Sequence, residues 1–433
     1  MTNDERPFRL RSVALAAFLP TLLFSIGEGA IIPLIPIVAH NLGASLAVAG
    51  FIAAMVMLGE LVGDIPSGWV VSSIGERNAM IWASLLAIVA VLICVAAPNP
   101  LVLGFGIFVI GIATAVFALA RHAFLTSYVP LVYRARALST LGGIFRGGWF
   151  LGPFIAAGLI QWTGGTQAVF WVFVVCCLGA AAVLLLLPDP ASTFGPPTVV
   201  VGADGRTLTT GEELAAEESH GLFRTIWGYR AVLFRLGTGA GLVGAMRATR
   251  TVVMPLWAVS IGITESNTAL IIGIAGAIDF ALFYASGQIM DRFGRLWSAL
   301  PSMIGLGSGL LALSFTHELP NGVQWFIGIA MFLSVANGVG SGILMTLGAD
   351  LAPAASPAPF LGAWRFAGDL GGAAAPLAVS GITAIVSLSV ASGAMGVLGL
   401  LGVVLLARYI PRYVPRKPRL PRALPPDIAD GGG

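Results

Sequence analysis

Apolar runs of about 20 residues recur along nearly the whole chain and constrain its fold more than any other feature. In a bilayer only a helix satisfies the backbone hydrogen bonds of an open-ended segment, and about 20 helical residues cross the hydrocarbon layer. The sequence therefore predicts an all-α integral membrane protein with twelve transmembrane helices. The predicted spans are residues 13–39, 46–71, 78–97, 101–126, 136–161, 168–188, 231–259, 266–290, 295–316, 322–349, 358–384 and 387–408.

The composition excludes a soluble globular protein. Only 10% of the residues are charged and 57% are hydrophobic, whereas soluble domains contain about 25% charged residues. Cys94, Cys176 and Cys177 lie inside apolar runs without His or Cys at metal-ligand spacing, so we expect packing roles and no metal site. The chain shows no nucleotide-binding loop and no nucleophile with an adjacent base, so we expect no enzyme, no cofactor and no ATP-driven pump.

The basic residues of the loops lie on one side of the predicted spans. They occur in both tails, in the long segment 189–230 and in the loops near residues 72–77, 121–136 and 291–295, and none occurs in the opposite loops. The positive-inside rule therefore predicts a multi-pass protein of the inner (cytoplasmic) cell membrane with both termini in the cytoplasm. Topology explains the net charge of +3, so we expect no nucleic-acid partner.

One long polar connection separates six spans from six. The predicted organisation is a cytoplasmic tail (1–12), a first six-helix bundle (13–188), a cytoplasmic linker (189–230), a second six-helix bundle (231–408) and a basic cytoplasmic tail (409–433). Within the linker, residues 198–209 alternate around Ala203-Asp204-Gly205 and predict a small β-hairpin. The linker is either a flexible tether or a partner-binding element, and a monomer suffices for this arrangement in the lipid bilayer.

Two glycine-containing turns indicate that the second half of the chain repeats the first. The sequence GQIMDRFGR follows the eighth span, and GWVVSSIGER stands at the matching position after the second span. The motif residues are Gly68, Gly75 and Arg77 in the first half and Gly287, Asp291, Arg292, Gly294 and Arg295 in the second. Eight residues before each leading glycine stands a carboxylate, Glu60 in one copy and Asp279 in the other. The repeat predicts two pseudo-symmetric bundles.

The pattern Gly-x-x-x-Asp-Arg-x-Gly-Arg from residue 287 to residue 295 resembles the cytoplasmic loop motif of the major facilitator superfamily. The arrangement of six plus six spans resembles the same family. In the first copy, Ser72 and Ser73 occupy the Asp-Arg positions, and Glu76 replaces an Arg. The resemblance implies the fold of that superfamily, a small-molecule substrate and transport by alternating access.

A second motif is similar to that of the drug:proton antiporters within this superfamily. Gly148, Gly152 and Pro153 in the fifth span carry the similarity, whereas Ala156 and Ala157 stand where the motif continues with two glycines. Physically, small residues let two helix backbones approach each other, and the proline permits a local bend. We therefore expect close helix contact at this stretch of the fifth span.

Ten ionisable residues fall inside the predicted spans. They are Glu28, Glu60, Asp64, Asp279 and Asp369, with Arg146, Arg235, Arg247, Arg250 and Arg365. Each costs about 2.5 to 3.5 kcal/mol at a helix centre, so these side chains should find partners or water. Arg235 lies close enough to the end of its span to reach the membrane surface.

Matching depths predict two charge pairs between the bundles. At about 1.5 Å per residue, Arg146 and Asp279 both lie roughly 15 Å inside their spans, and Arg365 and Asp64 roughly 10 Å inside theirs. In the resembled fold, spans 5 and 8 adjoin across the interface, as do spans 2 and 11. We therefore predict that Arg146 pairs with Asp279, and that Arg365 pairs with Asp64 or Glu60. The alternative is neutralisation within each bundle.

The first and seventh spans line the central cavity in the resembled fold. Aligning Pro33 with Pro255 places Glu28 at the position of Arg250, with Arg247 one turn earlier. Glu28 is then either a protonatable switch or one partner of a fixed bridge to Arg250. Asp279, Glu60, Asp64 and Asp369 complete the predicted substrate and proton pathway.

These features together predict a secondary transporter. Our first expectation is export of a small apolar or amphipathic, drug-like compound, driven by a proton gradient. The arginines near the cavity favour the alternatives of an organic-anion or other metabolite transporter, in either direction, or a lipid flippase. A non-transporting membrane sensor that binds a partner would also fit the altered first loop motif.

Overall fold

The computed structural model describes residues 14–187, 199–201, 207–219, 222–353 and 357–414. Nearly all of these residues are helical. The membrane-length helices are α1 (Leu15–Asn41), α2 (Leu46–Ile74), α3 (Glu76–Val95), α4 (Pro100–Tyr128), α5 (Leu131–Thr163), α6 (Gln167–Leu186), α7 (Thr238–Ser260), α8 (Glu265–Phe293), α9 (Leu296–Leu313), α10 (Gly322–Leu351), α11 (Pro357–Ile385) and α12 (Leu388–Tyr413). The predicted tail 1–12 and most of the tail 409–433 lie outside the described residues.

The prediction of twelve membrane-length helices is confirmed. In the described part of the chain, eleven of them are also apolar enough to cross a bilayer. The remaining helix, α7, has 23 residues, which is long enough, but Arg247 and Arg250 lower its mean hydropathy. The least apolar helix is therefore one that carries two of the predicted cavity residues.

Helix α10 is a broken helix. An α-helix from Gly322 to Val339 and a second from Ile343 to Leu351 are joined by a turn at residues 340–342. The amide N–H groups of Gly340, Ser341 and Ile343 donate to carbonyls three residues earlier, which tightens the chain into a 3₁₀-like geometry. At the break the carbonyl oxygens of Gly340 and Ser341 accept hydrogen bonds from side chains.

The helices begin and end at residues suited to those positions. At the starts of α2, α4, α8 and α12, the side chains of Ser45, Asn99, Thr264 and Ser387 accept a hydrogen bond from a first-turn N–H. Gly75 ends α2 with φ 84°, and Gly294 ends α8 with φ 97°. These glycines belong to the repeated turn, and both adopt a positive φ that L-residues avoid.

The helix contacts repeat with a period of six helices. In the first half α1 packs on α5 and α6, α4 packs on α2 and α3, and α3 packs on α6. In the second half α7 packs on α11 and α12, α10 packs on α8 and α9, and α9 packs on α12. Between the halves α2 packs on α11 and α5 on α8, as the resemblance implied. The two halves are therefore pseudo-symmetric.

Small residues bring α5 and α1 into backbone contact. A Cβ atom at Gly152 would lie 2.4 Å from the amide nitrogen of Ala30, and one at Gly148 would lie 2.5 Å from Ser25. In the repeat-related contact between α11 and α7, a Cβ atom at Gly371 would lie 2.0 Å from the carbonyl oxygen of Gly241. The close contact predicted for the span 5 motif is confirmed.

The two ends of the bundle differ in charge. We call the end with Arg77, Arg134 and Arg295 the basic face, and the other end the opposite face. At the opposite face the amide of Asn41 donates to Glu265 across the two halves, with a distance of 2.6 Å. There Ser380 also donates to the carbonyl of Ala47 at 2.7 Å, so the halves are joined at this face.

Part of the linker is folded onto the basic face. Strands β1 (Val199–Val201) and β2 (Thr207–Thr209) pair antiparallel with Val200 opposite Leu208, which confirms the predicted hairpin pairing. The linker helix (Thr210–Ser219) packs on α2 and α4 of the first half and on α11 of the second. The described part of the linker is therefore a docked element and not a free tether.

Candidate functional site

A cavity of about 390 Å³ lies between the two halves. Such a volume falls within the range of small-molecule sites, roughly 300 to 1,000 Å³. Both halves supply its wall. Apolar and aromatic lining comes mainly from Met57, Phe145, Trp149, Phe150, Met254 and Phe280, and charged lining comes from Arg146, Arg247, Arg250, Asp279 and Asp369.

Asp279 forms an ion pair with Arg250, on the neighbouring α7. Nη1 of Arg250 lies 2.7 Å from Oδ2 of Asp279, and the amide of Asn337 donates to Oδ1 of Asp279 at 3.1 Å. The predicted pair of Arg146 with Asp279 is therefore wrong for this structure, because Asp279 is neutralised within its own half. Equal depth along two helices does not determine which way their side chains turn.

Arg146 and Arg247 both donate to the backbone of the α10 break. Nη2 of Arg146 lies 3.2 Å from the carbonyl oxygen of Ser341, and Nη2 of Arg247 lies 2.6 Å from that of Gly340. The Arg146 guanidinium also stacks over the ring of Phe283, 4.9 Å from its centroid. Two cations, one from each half, thus converge on one stretch of main chain.

Glu28 is buried on the first-half side of the cavity and does not bond to Arg250. Its carboxylate accepts hydrogen bonds from the Thr114 hydroxyl at 3.0 Å and from Nε1 of Trp149 at 2.9 Å. The predicted bridge from Glu28 to Arg250 is therefore absent, because Arg250 is held by Asp279 and Glu28 turns toward α4 and α5.

The glycines that flank Glu28 serve helix packing. Their neighbours are Phe173 for Gly27 and the Trp149 backbone for Gly29, and an added Cβ atom would clash with either. The absence of side chains at Gly27 and Gly29 therefore lets α1 approach α6 and α5.

Four carboxyl groups form one cluster beside the cavity. We define the acidic cluster as Glu28, Glu60, Asp64 and Asp369 with the cations Arg121 and Arg365. The predicted pair of Arg365 with Asp64 is present across the two halves, with Nη2 3.7 Å from Oδ1. The carboxyl groups of Asp64 and Asp369 lie close enough across the halves to interact electrostatically. Two carboxylates this close repel each other when both are ionised.

The loop motif forms different contacts in the two halves. In the second half, Arg295 forms a bidentate pair with Asp350 at 2.7 and 3.2 Å and lies 3.9 Å from the more exposed Asp291. Arg292 stacks over the ring of Phe293. Gly287 has open space around it, whereas Gly68 is buried. The intact motif therefore joins α8 to the end of α10.

In the first half the linker contacts the altered loop motif. Arg77 donates to the carbonyls of Leu184 and Leu187 at the end of α6. The buried Glu76 accepts hydrogen bonds from the hydroxyls of Ser127 and of Thr209 in the linker. Glu76 stands where the loop motif has an Arg. Its carboxylate accepts a hydrogen bond that the linker donates, which an Arg could not do.

Sequence reasoning missed several polar residues of the site. Thr114, Trp149, Ser334, Asn337 and Ser341 bond to the predicted charged residues. The signal for the α10 break was the run Gly338-Val339-Gly340-Ser341-Gly342 inside a predicted span. Arg121 was assigned to a loop, yet it is buried in α4 beside Glu28 and Glu60.

Comparison with known proteins gives partial matches to named transporters. A probable inositol transporter 2 of Arabidopsis thaliana is 26% identical over 138 residues, 32% of this chain and 24% of that protein. The galactose-proton symporter of Escherichia coli strain K12 is 24% identical over 205 residues, 47% of this chain and 44% of that protein. The chain thus spans less than half the length of these first curated relatives. A putative metabolite transport protein of Bacillus subtilis, YncC, is 22% identical over 397 residues, 79% of this chain and 83% of that protein.

Solved structures share the fold along nearly the whole chain. A D-xylose-proton symporter superposes with a TM-score of 0.73 at 16% identity, covering 94% of this chain and 99% of that one. A POT family transporter in complex with a thioalcohol conjugated peptide superposes with a TM-score of 0.74 at 15% identity, covering 93% and 97%. Identities this low show the fold alone.

The family assignment rests on a family model that matches the chain almost from end to end. The model described as Major Facilitator Superfamily matches residues 17–376, with a second match at residues 236–426. The relatives named above are sugar, inositol or metabolite transporters, so the finer prediction of a drug:proton antiporter finds no support among them. The chain belongs to the Major Facilitator Superfamily.

Proposed function

We propose that this protein carries a small polar metabolite across the membrane by alternating access, with a proton gradient as the energy source. One observation supports this most strongly: a cavity of small-molecule size lies between two repeat-related halves, and charged residues of both halves line it. Rocking of the halves about such a cavity would expose it to one side at a time. The proposed orientation, with both termini in the cytoplasm of the cell, follows the positive-inside rule.

The acidic cluster is the proposed proton site. Two of its interactions cross between the halves, the ion pair of Arg365 with Asp64 and the electrostatic interaction of Asp64 with Asp369. Ionisation of both Asp64 and Asp369 would leave two neighbouring carboxylates, which repel in a low-dielectric site. Proton binding would therefore change the relative stability of two arrangements of the halves.

A metabolite is better supported than a drug-like compound as the substrate. The relatives that match this chain are named as inositol, galactose or metabolite transporters. The aromatic part of the wall would suit an apolar compound, but a wall with five charged side chains favours a polar one. The direction of transport follows from the test below.

Proteoliposomes containing the purified protein test this proposal. They are incubated with a cell metabolite extract under a pH gradient of either sign, and their contents are measured by mass spectrometry. We expect selective enrichment of one or a few compounds, abolished by a protonophore. Contents identical to those of protein-free liposomes would contradict transport and favour the alternative of a non-transporting sensor.

A further inference from the structure

We infer that the cavity binds the anionic group of a small organic acid between Arg146 and Arg247. This inference rests on the proposed function and names the substrate class of the same cavity. It rests on the charges of the cavity wall, on the buried polar atoms of the charged residues' contacts and on the apolar side chains that complete the wall. The bound molecule would be an organic anion with an aromatic or apolar body.

The wall of the cavity near α7 and α10 carries excess positive charge. Arg146, Arg247 and Arg250 lie there, and among the described residues the adjoining carboxylate is Asp279. Asp279 forms its 2.7 Å ion pair with Arg250. The other carboxylate of the wall, Asp369, interacts electrostatically with Asp64 and Arg365, so it belongs to the acidic cluster. Arg146 and Arg247 therefore share the attraction of one carboxylate that is already paired, and among the described residues neither has an ion pair of its own.

Backbone carbonyls satisfy part of the hydrogen bonding of these two arginines but none of their charge. Arg247 reaches the carbonyls of Gly340 and Ser341, and Arg146 reaches that of Ser341. A carbonyl carries no net charge, and two like charges held close together at membrane depth are costly. An anion placed between the guanidinium groups would remove that cost, and a neutral sugar would not.

Unused polar atoms occur in two residues of the same contacts, Arg247 and Ser341. In the described part of the chain, Nε of Arg247 and Oγ of Ser341 are buried without a hydrogen-bond partner. Both atoms can donate, and both belong to residues that already contact the α10 break. A buried donor without a partner costs free energy, which a ligand acceptor would recover. A carboxylate provides up to four acceptor positions for such donors.

The remaining wall defines the body of the ligand. Phe150 and Phe280, from opposite halves, stack with ring centroids 5.9 Å apart, and Trp149 lies beside them. These side chains present apolar and aromatic surface next to the cationic end of the cavity. A compact acid with a ring or short hydrocarbon body matches both parts.

The position of the two arginines would connect binding with movement of the halves. Arg146 belongs to α5 in the first half, and Arg247 belongs to α7 in the second. An anion held by both would be bound best in the arrangement that keeps these helices close. Binding would therefore favour that arrangement over one in which the arginines are apart.

Binding to the purified protein tests the inference independently of transport. A panel of small carboxylates and sulfonates, each paired with its uncharged primary amide, is screened by ligand-induced thermal stabilisation in detergent. We expect stabilisation by acids, above all those with an aromatic body, and none by the matched amides. Stabilisation only by amides, equal stabilisation by an acid and its amide, or no stabilisation by any acid would overturn the inference.

Substitutions locate the bound anion. Arg146→Gln and Arg247→Gln should each weaken binding of the selected acid about 10- to 100-fold, the range for loss of a charged hydrogen bond. Arg146→Lys and Arg247→Lys keep the charge and should retain more binding than the Gln variants. Arg235→Gln is the matched control, because Arg235 bonds to Tyr413 outside the cavity. Unchanged affinity in both Gln variants would contradict the site.

The melting temperature without ligand separates a folding defect from a binding defect. A variant that melts as wild type does but has lost acid binding supports the site. If Arg247→Gln melts at a lower temperature than the wild type, binding to Arg146→Gln and to the Lys variants provides the test instead. Acid binding without flux in liposomes would contradict the proposed transport and leave this site supported. Flux of a neutral compound without acid binding would support transport and contradict this site.

Discussion

At the scale of single residues, the closest helix contacts depend on the absence of a side chain. Gly152 lies against the α1 backbone, where an added methyl group would lie 2.4 Å from the nitrogen of Ala30. Neither backbone can yield without moving a helix, so Gly152→Ala should lower stability by about 1 to 3 kcal/mol. Gly158→Ala in the same helix is the control, because nothing lies within 4 Å of its position. Thermal unfolding in detergent measures both, and equal midpoints would contradict the packing argument.

The ion pair of Arg250 with Asp279 should matter more for stability than the exposed pair of the loop motif. Both side chains of the buried pair are 15% exposed, whereas Asp291 is 86% exposed and lies 3.9 Å from Arg295. Asp279→Asn would leave Arg250 without a counter-charge, at a cost of about 3 kcal/mol. Asp291→Asn should cost under about 1 kcal/mol. Comparison of the two melting temperatures tests this, and equal shifts would contradict it.

The sequence allowed the depth of a charged residue to be predicted, but not its direction. Counting residues placed Arg365 level with Asp64, and that pair is present. The same counting placed Arg146 level with Asp279, yet Asp279 faces Arg250 on α7. A few degrees of helix rotation decide between such partners, and rotation depends on packing along the whole helix. The repeat and the span 5 contacts were predictable because glycine spacing is local.

At the scale of secondary structure elements, the docked linker is sensitive to pH. Burial raises the pKa of the Glu212 carboxyl, and the nearby Glu76 raises it further, while hydrogen bonds from Thr209 oppose the shift. The docked linker therefore holds a proton on Glu212 more tightly than a free linker would.

Docking should accordingly be strongest below the ordinary glutamate pKa of about 4.3 and should weaken as pH rises through the raised pKa of Glu212. Hydrogen exchange of residues 207–219, corrected for the intrinsic effect of pH, measures docking. Glu212→Gln should remove most of the pH dependence, because the glutamine amide can donate a hydrogen bond but does not titrate. Glu217→Gln, at an exposed position of the same helix, should leave the pH dependence intact. A wild-type linker equally protected at every pH would contradict this prediction.

The linker could not be placed from its sequence. Its hairpin was predictable from local alternation, and the strands pair as expected. Its docking depends on Glu76 and Ser127, which lie more than 80 residues earlier in the chain. The departure of Glu76 from the loop motif was visible in the sequence, but its partners were not. Long-range complementarity of this kind requires the fold.

At the scale of the whole molecule, the contacts at the opposite face should control access to the cavity. The amide of Asn41 and the carboxylate of Glu265 lie 2.6 Å apart and belong to different halves. Cysteines at both positions, joined by a short bis-methanethiosulfonate reagent that forms a disulfide with each of them, should hold this face closed. We expect flux in proteoliposomes to stop and to return on reduction of the link. Continued flux through linked protein would contradict alternating access. Single-cysteine variants are the control, since Cys94, Cys176 and Cys177 are buried.

Proton coupling should depend on the two carboxyl groups that meet across the halves. Asp64→Asn and Asp369→Asn each remove one of the two neighbouring titrating groups and retain the shape of the side chain. Uptake driven by a pH gradient should fall at least tenfold, whereas exchange of substrate at equal pH should persist. Asp291→Asn, at the basic face, is the control. Full pH-driven uptake in both variants would contradict a role of this pair in coupling.

The turn at residues 340–342 divides α10 into two helical segments with no continuous α-helical hydrogen bonding between them. One segment holds Asn337 beside the Arg250 and Asp279 pair, and the other holds Asp350 against Arg295 at the basic face. An occupant that drew Arg146 and Arg247 away from the joint would free it to flex. Ligand binding at the cavity would then change the position of the Ile343–Leu351 segment at the basic face, while the Gly322–Val339 segment would stay in place.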